Sequence, residues 1–393
     1  MPERDLHRLV SSPAETGISS EEKFSKMTIA RTIVADRVRR LRKQLRQRKV
    51  EALLVTEPID VGYVSGFTGD DSWLLVGSGK GWLLTDFRYA EQAEAECPDF
   101  ALVVRRAGLV EALAPVLRRK GVKRLGFDPE TVTVGLLKRL RKGLKGVRLV
   151  PARQVISGLR VRKDALEQTA IRNAVCVAEE AWAAFRKSVR LGMTEQALAA
   201  ELDHRMRLAG AEGPAFPTII AIDASASKPH ARAGGRRLRP GSVLLVDFGA
   251  KVGGYVCDLT RVLFAGKIGC RARRVYSLVQ EAQAAGIACV KPGAAFSEVD
   301  AAVRRVIADA GFGEQFQHGT GHGIGRQVHE APALGPRVGK GRLEAGMIVT
   351  VEPGIYLRGR FGIRIEDDVL VTPKGHEVLT RVEKGLGEMV LEL

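Results

Sequence analysis

Four carboxylates stand at the ends of apolar strand-like runs in the last 150 residues of this chain. In SVLLVDFGAKVGGYVCDLTRVLF (242–264), four apolar residues lead into Asp247, the chain turns at Gly253–Gly254, and the return carries Asp258. A two-residue Gly-Gly turn pairs positions whose numbers sum to 507. Asp258 then falls opposite Gly249, on the same face as Asp247. In MIVTVEPGIYLRGRFGIRIEDDVLVT (347–372), Glu352 ends an apolar run and Glu366 returns fourteen positions later. An odd-numbered loop around Gly359 to Phe361 brings these two face to face. Acids gathered on apolar strands repel one another unless a cation lies between them. Beside them, QFQHGTGHGIGRQVHEAP (315–332) holds His318, His322 and His329 among glycines that allow close backbone approach. One imidazole with four carboxylates suits a carboxylate-bridged pair of Mn²⁺, Co²⁺, Fe²⁺ or Zn²⁺ ions and not a structural thiolate zinc.

The elements that must position these groups follow from the periodicity. Residues 1–28 are polar and aperiodic, and read as a disordered tail without the apolar core of a secretion signal; Met27 is a second candidate start. From 29 to 158, strand-like runs at 51–56, 72–78, 81–86, 101–106 and 124–128 alternate with helical patterns at 34–49, 87–96, 108–120 and 133–144. That alternation defines an α/β domain. The junction is PARQVISGLRVRKDALEQ (151–168), where Asp164 and Glu167 have capping-box spacing. From 159 to 393 the order becomes helices followed by hairpins, and it repeats. Helical stretches 164–190 and 194–210 precede the first hairpin; 271–290 and 297–310 precede the second. An α+β domain with duplicated hairpins related by a pseudo-twofold axis is expected.

Composition narrows the function. The chain is 45% apolar and 27% charged, ordinary for a globular protein, and no apolar run reaches the ~18 residues of a membrane span. Five scattered cysteines without a C-x-x-C pair point to a reducing, cytoplasmic setting. The net charge of +17 is concentrated in basic runs at 38–49, 117–124 and 137–148. Their leucines and valines fall at helical spacing, so these runs read as solvated helix faces. No zinc-finger or RNA-binding signature accompanies them, and specific nucleic-acid binding is not expected.

From about residue 30 on, these motifs resemble the pita-bread metallopeptidases, in the branch of aminopeptidase P and prolidase. The resemblance implies a creatinase/prolidase-like N-terminal domain and five metal ligands: Asp247 in LLVDFGA, Asp258 in CDLTR, His322 in GHGIG, Glu352 in VEPGIY and Glu366 in RIEDDVLVT. Asp247 and Glu366 would bridge two divalent ions, Mn²⁺ foremost; Asp258 would hold the first, and His322 and Glu352 the second. Glu352 would also take a proton from the attacking water. His329 (VHEAP) would stabilise the oxyanion, and His230 (KPHARAG) would contact the scissile amide or the substrate carbonyl. Arg364, two residues before Glu366 and on the same strand face, is expected to brace the carboxylates, whereas His318 matches no ligand position and is expected to be structural. A homodimer or higher homo-oligomer is implied as well.

The implied activity is hydrolysis of the Xaa-Pro bond at the N-terminus of peptides. Methionine aminopeptidases share the ligands but lack the long N-domain, and creatinases share the fold but not the ligands. A non-catalytic pita-bread binding protein would have lost several ligands, and here all five are present. The loop before His230, AIDASASKPH, departs from the Gly-, Pro- and Asn-rich family pattern, which bears on specificity. A strict dipeptidase must hold the free carboxylate of proline with a cation. The short Gly-rich loop after His329 offers Arg337, Lys340 and Arg342 but no obvious anchor for a clamp. Aminopeptidase action is therefore favoured, with Xaa-Pro dipeptidase (prolidase) action as the alternative.

Overall fold

The computed structural model describes the backbone of residues 20–392 and the side chains of residues 31–392. Residues 1–19 of the expected tail lie outside the described residues. Residues 20–28 are helical, because α1 runs from Ser20 to Gln47 rather than from 34. The chain divides into two compact units after Arg160.

The first unit continues through β1 (Ala52–Val55), α2 (Pro58–Ser65), β2 (Trp73–Gly77), β3 (Gly81–Thr85), α3 (Ala90–Glu96) and β4 (Ala101–Val104). It ends with α4 (Leu109–Arg119), β5 (Arg124–Phe127), α5 (Val134–Gly143), β6 (Arg148–Pro151) and α6 (Ser157–Arg160). The strands form one mixed sheet in the order β4-β3-β2-β1-β5-β6, in which β1, β5 and β6 are mutually parallel. Both faces are covered, so the strands read as continuous apolar runs. Leu53, Val55, Leu74 and Leu83 cluster with Val38, Leu41 and Leu45 of α1. Their strand neighbours Leu54, Leu75 and Leu84 cluster with Leu113 and Val116 of α4 and Leu140 of α5.

The second unit opens with α7 (Ala165–Ser188), whose Asp164–Glu167 capping box is formed, and α8 (Glu195–Leu208). Then come β7 (Gly213–Pro214), β8 (Ile219–Ile222), β9 (Val243–Phe248), β10 (Ala250–Val252), β11 (Tyr255–Val256) and β12 (Leu259–Ala265). The order repeats with α9 (Cys270–Cys289), α10 (Phe296–Asp309), β13 (Gly321–Gly323), β14 (Glu330–Leu334), β15 (Ile348–Val351), β16 (Gly354–Leu357), β17 (Phe361–Arg364) and β18 (Asp367–Thr372). Strands β19 (Gly375–Val378) and β20 (Val390–Leu391) close the chain. One sheet has the order β20-β12-β9-β8 and another β14-β13-β15-β18-β19. Helices cover them: Trp182 of α7 stacks on Phe248 at 5.4 Å between ring centroids. On α9, a Cβ at Gly286 would lie 2.6 Å from Val303 and 3.0 Å from Val351, so glycine sets how closely that helix seats.

The two hairpins meet through a buried clasp. Arg261 and Asp367, both fully buried, form an ion pair at 2.7 Å. Arg261 also donates to the carbonyls of Glu366 (2.6 Å) and Val382 (2.8 Å). Asp367 accepts from Gln283 (2.9 Å), Thr380 (2.6 Å) and Lys384. Burial alone would raise the Asp367 carboxyl, but Arg261 and Lys384 hold it below the usual range. A buried ion pair is tolerable when its remaining lone pairs are satisfied in this way.

Candidate active site

Turn geometry sets the register of both hairpins. Gly253 and Gly254 have φ of 57° and 72°, the left-handed values a tight two-residue turn needs at both positions. From Val252↔Tyr255 through Thr260↔Asp247 to Phe264↔Val243, every pair sums to 507. In the second hairpin, Leu357↔Phe361, Gly354↔Arg364, Val351↔Asp367 and Thr350↔Asp368 all sum to 718. Glu352 and Glu366 share that sum and face each other, and the loop between β16 and β17 is the three residues 358–360. An isolated backbone bridge, with Glu366 N–H donating to the Thr260 carbonyl at 3.2 Å, also joins one hairpin to the other.

His322 enters from β13. A Cβ at Gly321 would lie 1.9 Å from the Thr350 carbonyl oxygen, and one at Gly323 would lie 2.3 Å from that of Ala331. Only glycines let the strand run this close to its neighbours. His322 Nδ1 donates to the Gly323 carbonyl at 3.2 Å, which turns the Nε2 lone pair toward the acids. Nε2 lies 3.7 Å from Asp258 and 3.6 Å from Glu352.

Asp258, His322 and Glu366 each offer a ligand atom within 4.8 Å of the others. Among the described residues, Asp247 Oδ1 and Glu366 Oε1 are buried with no hydrogen-bond partner. A buried carboxylate oxygen left bare costs free energy that a cation recovers, so the donor set fits divalent metal. The electrostatics agree. Burial, then Glu366 and Asp247, push the Asp258 carboxyl well above its usual range, and burial, then Glu352 and Asp247, do the same to Glu366. Burial lifts Glu352 to about 7 despite Arg364. His322 is driven down to about 4 by burial and by His329, and is neutral as a ligand must be.

Arg364, buried on β17, organises these acids. One guanidinium nitrogen donates to Asp247, Nε donates to Thr260 Oγ1 (3.1 Å), and that hydroxyl donates to Glu366 Oε2 (2.7 Å). A second nitrogen donates to Tyr356 Oη (2.7 Å) and to the Pro229 carbonyl (3.3 Å), which fixes the residue before His230. Tyr356 in turn lies 3.0 Å from His318 Nε2. His318, expected to be structural, packs against Phe316 and also lines the cavity, with burial, then Arg364, lowering it to about 4. Its Nδ1 donates to the Gly319 carbonyl, so the Tyr356 hydroxyl completes a chain of donors running from Arg364 to His318. His329 lies 4.3 Å from the His322 ring, between centroids. The next residue, Glu330, accepts from the backbone of Arg326 and Gln327 and pairs with buried Lys163 at 3.4 Å, which holds the turn.

Thr260, Tyr356 and Asp368 were not anticipated. Thr260 sits opposite Asp247 in the 507 register, a signal that was available. Asp368 accepts the Asp258 N–H at 3.0 Å across the two hairpins, and Tyr356 reaches Arg364 diagonally; neither contact has a sequence signature. The cavity, about 880 Å³, is lined by all five acids and imidazoles proposed as ligands, by His230, His318 and His329, and by Arg232 and Arg337.

A duplicated-hairpin unit of this kind, holding a carboxylate-rich cavity and preceded in the chain by an α/β unit, is a pita-bread peptidase fold. Residues 169–373 match metallopeptidase family M24, residues 37–162 match the creatinase/prolidase N-terminal domain, and the chain belongs to family M24. Its reaction class is hydrolytic and divalent-metal-dependent. A Xaa-Pro dipeptidase of Pyrococcus horikoshii is 30% identical over 356 residues, 90% of this chain and 99% of the relative. The structure of a Xaa-Pro dipeptidase from Bacillus anthracis superposes with a TM-score of 0.88 at 33% identity, covering 91% of this chain and all of the other. An X-Pro aminopeptidase from Thermotoga maritima gives 0.83 at 34% identity, covering 87% and 99%.

Proposed function

We propose that this chain cleaves the bond between an N-terminal residue and proline, and that Xaa-Pro dipeptides are its preferred substrates. Asp247, Asp258, His322, Glu352 and Glu366 would hold two divalent ions, Mn²⁺ by preference for an oxygen-rich donor set. When bound, such ions acidify water and polarise a carbonyl. The chain's own residues do the rest. Glu352, 3.6 Å from His322 Nε2, would accept a proton and return it to the leaving nitrogen. His329 would donate to the developing oxyanion, and His230 would orient the scissile amide. Phe216, Leu334, Pro336 and Val338 give the cavity an apolar wall suited to the proline ring.

The observation that favours the dipeptidase reading over the aminopeptidase one is the pair of arginines on that wall. Arg337 had no evident anchor in the sequence, yet it lines the cavity together with Arg232. Two arginines lining one cavity suit a free proline carboxylate. The naming of the relatives as Xaa-Pro dipeptidases points the same way. Comparing kcat/KM for Ala-Pro and Ala-Pro-Ala tests it. The dipeptide should lead by about tenfold, some 1.4 kcal/mol, and Arg337→Ala should erase that lead. A tripeptide preference in the parent enzyme would restore the aminopeptidase reading. A cytoplasmic setting is part of the proposal: all five cysteines are free thiols, and Cys176 and Cys270 are exposed.

A further inference from the structure

The three basic runs lie far apart in sequence, and the fold of the first unit brings their ends together. Helix α1 leads into β1, α4 into β5 and α5 into β6, and these three strands are parallel neighbours in the sheet. All three helix-to-strand connections therefore sit at one edge, the end where β1, β5 and β6 begin. Direct contacts tie them: Arg124 Nε donates to the Lys49 carbonyl (2.7 Å), and the Arg148 N–H donates to that of Lys123 (2.7 Å). Residues 46–51, 118–124 and 141–148 hold twelve Lys and Arg against one acid, Glu51, whose carboxylate accepts the Lys123 and Arg124 N–H at 2.6 and 3.1 Å.

Helix termini do not account for this charge. Three helix C-termini together present about −1.5 elementary charges, which two cations would offset. Arg119, Lys120, Lys123, Arg141, Lys145 and Arg148 are exposed, and among the described residues no ion pair joins any of them to a carboxylate. So dense a patch of one sign repels itself and is relieved by a polyanion.

We propose that this edge binds the phosphate backbone of nucleic acid without sequence preference. Strands ~4.8 Å apart make the three turns span about 10 Å, a length of duplex that carries about six phosphates over both strands, of which only a part faces one edge. Among the described residues, the large exposed apolar side chains (Phe87, Val104, Val134, Leu191 and Leu208) all lie outside the three runs. The ring nearest the patch, Trp82, is only 9% exposed and lies under the Lys120 ammonium at 5.5 Å, so among the described residues the edge presents neither a free aromatic face to stack on bases nor the apolar anchor that a membrane surface requires as a second signal.

Fluorescence anisotropy of the full-length, metal-loaded protein with labelled 20-base-pair DNA duplexes of two unrelated sequences tests this. Affinities for the two should agree within about twofold. Neutralising four phosphates gives a log–log salt slope of about −3.6, a loss of about 150-fold between 50 and 200 mM salt. Lys120→Glu/Lys145→Glu/Arg148→Glu should weaken binding at least about tenfold with hydrolysis of Ala-Pro unchanged. The glutamine triple at the same positions should show a smaller loss, which keeps the test valid if charge reversal harms the fold. Lys267→Glu/Arg271→Glu/Arg273→Glu, an equal charge change in the second unit, should bind like the parent. An equal loss in that control, a salt slope near zero, or preferential capture by phosphatidylserine-containing vesicles would each overturn the proposal. So would a change in oligomeric state of the charge-reversed triple, which would make the edge an interface between copies.

Discussion

Thr260→Val is the substitution that isolates how the carboxylates are aimed. Thr260 is fully buried opposite Asp247, and valine has nearly its shape, so no cavity opens. Two hydrogen bonds vanish: the one donated to Glu366 Oε2 at 2.7 Å and the one accepted from Arg364 Nε at 3.1 Å. Bonds to charged groups are each worth about 1.5–3 kcal/mol, and part of that loss falls on the fold. The part that falls on the ions should match other losses of ligand-orienting partners, about 10- to 100-fold in affinity or about 1.4–2.7 kcal/mol. Competition between the protein and a fluorescent chelator for Mn²⁺ reads this directly. Thr260→Ser keeps the hydroxyl and should stay near the parent. If the valine variant binds Mn²⁺ within twofold of the parent, the hydroxyl does not aim Glu366 and the reasoning is wrong.

Two further outcomes are expected. In the metal-free protein, burial raises the carboxyls of Asp258, Glu366 and Glu352, the last to about 7, so the folded state binds more protons than the unfolded chain and stability falls as pH rises. His318 and His322, both near 4, oppose this below pH 6.5 by staying neutral where the unfolded chain charges, so pH 7 to 8 isolates the acids. Thermal scans with chelator should show Tm falling across that window, and saturating Mn²⁺ should abolish the fall; a rising metal-free Tm contradicts the assignment. Separately, His322→Ala should lose bound metal, whereas His329→Ala should keep it and lower kcat by about 10². Equal metal content in the two variants by elemental analysis would show that the roles are misassigned.

The register of both hairpins was legible because turn chemistry is local: Gly253–Gly254 and an odd loop near Gly359 set the parity, and parity decides which acids face one another. The start of α1 was not, since SEEKFSKM lacks an apolar period although its residues tolerate a helix. Helix α2 was hidden because PIDVGYVS is buried over most of its length and so shows no amphipathic stripe. The surroundings of His318 were hidden for another reason. Its partner Tyr356 is 38 positions away and Arg364 lies one bond further, so its place in the cavity is created by the folding of two strands and by no local motif.

The clasp around Asp367 carries a consequence for how the protein comes into being. Thr380, Val382 and Lys384, which complete the bonding of Arg261 and Asp367, are translated after every proposed ligand. Until they emerge from the ribosome, the second hairpin can form, but it must bury an aspartate with part of its lone-pair capacity unmet. Chains grow from the N-terminus, and the first unit is free to fold early. The peptidase site therefore matures last, and a chain clipped between Val378 and Thr380 would keep all five proposed ligands while losing part of the support beneath them.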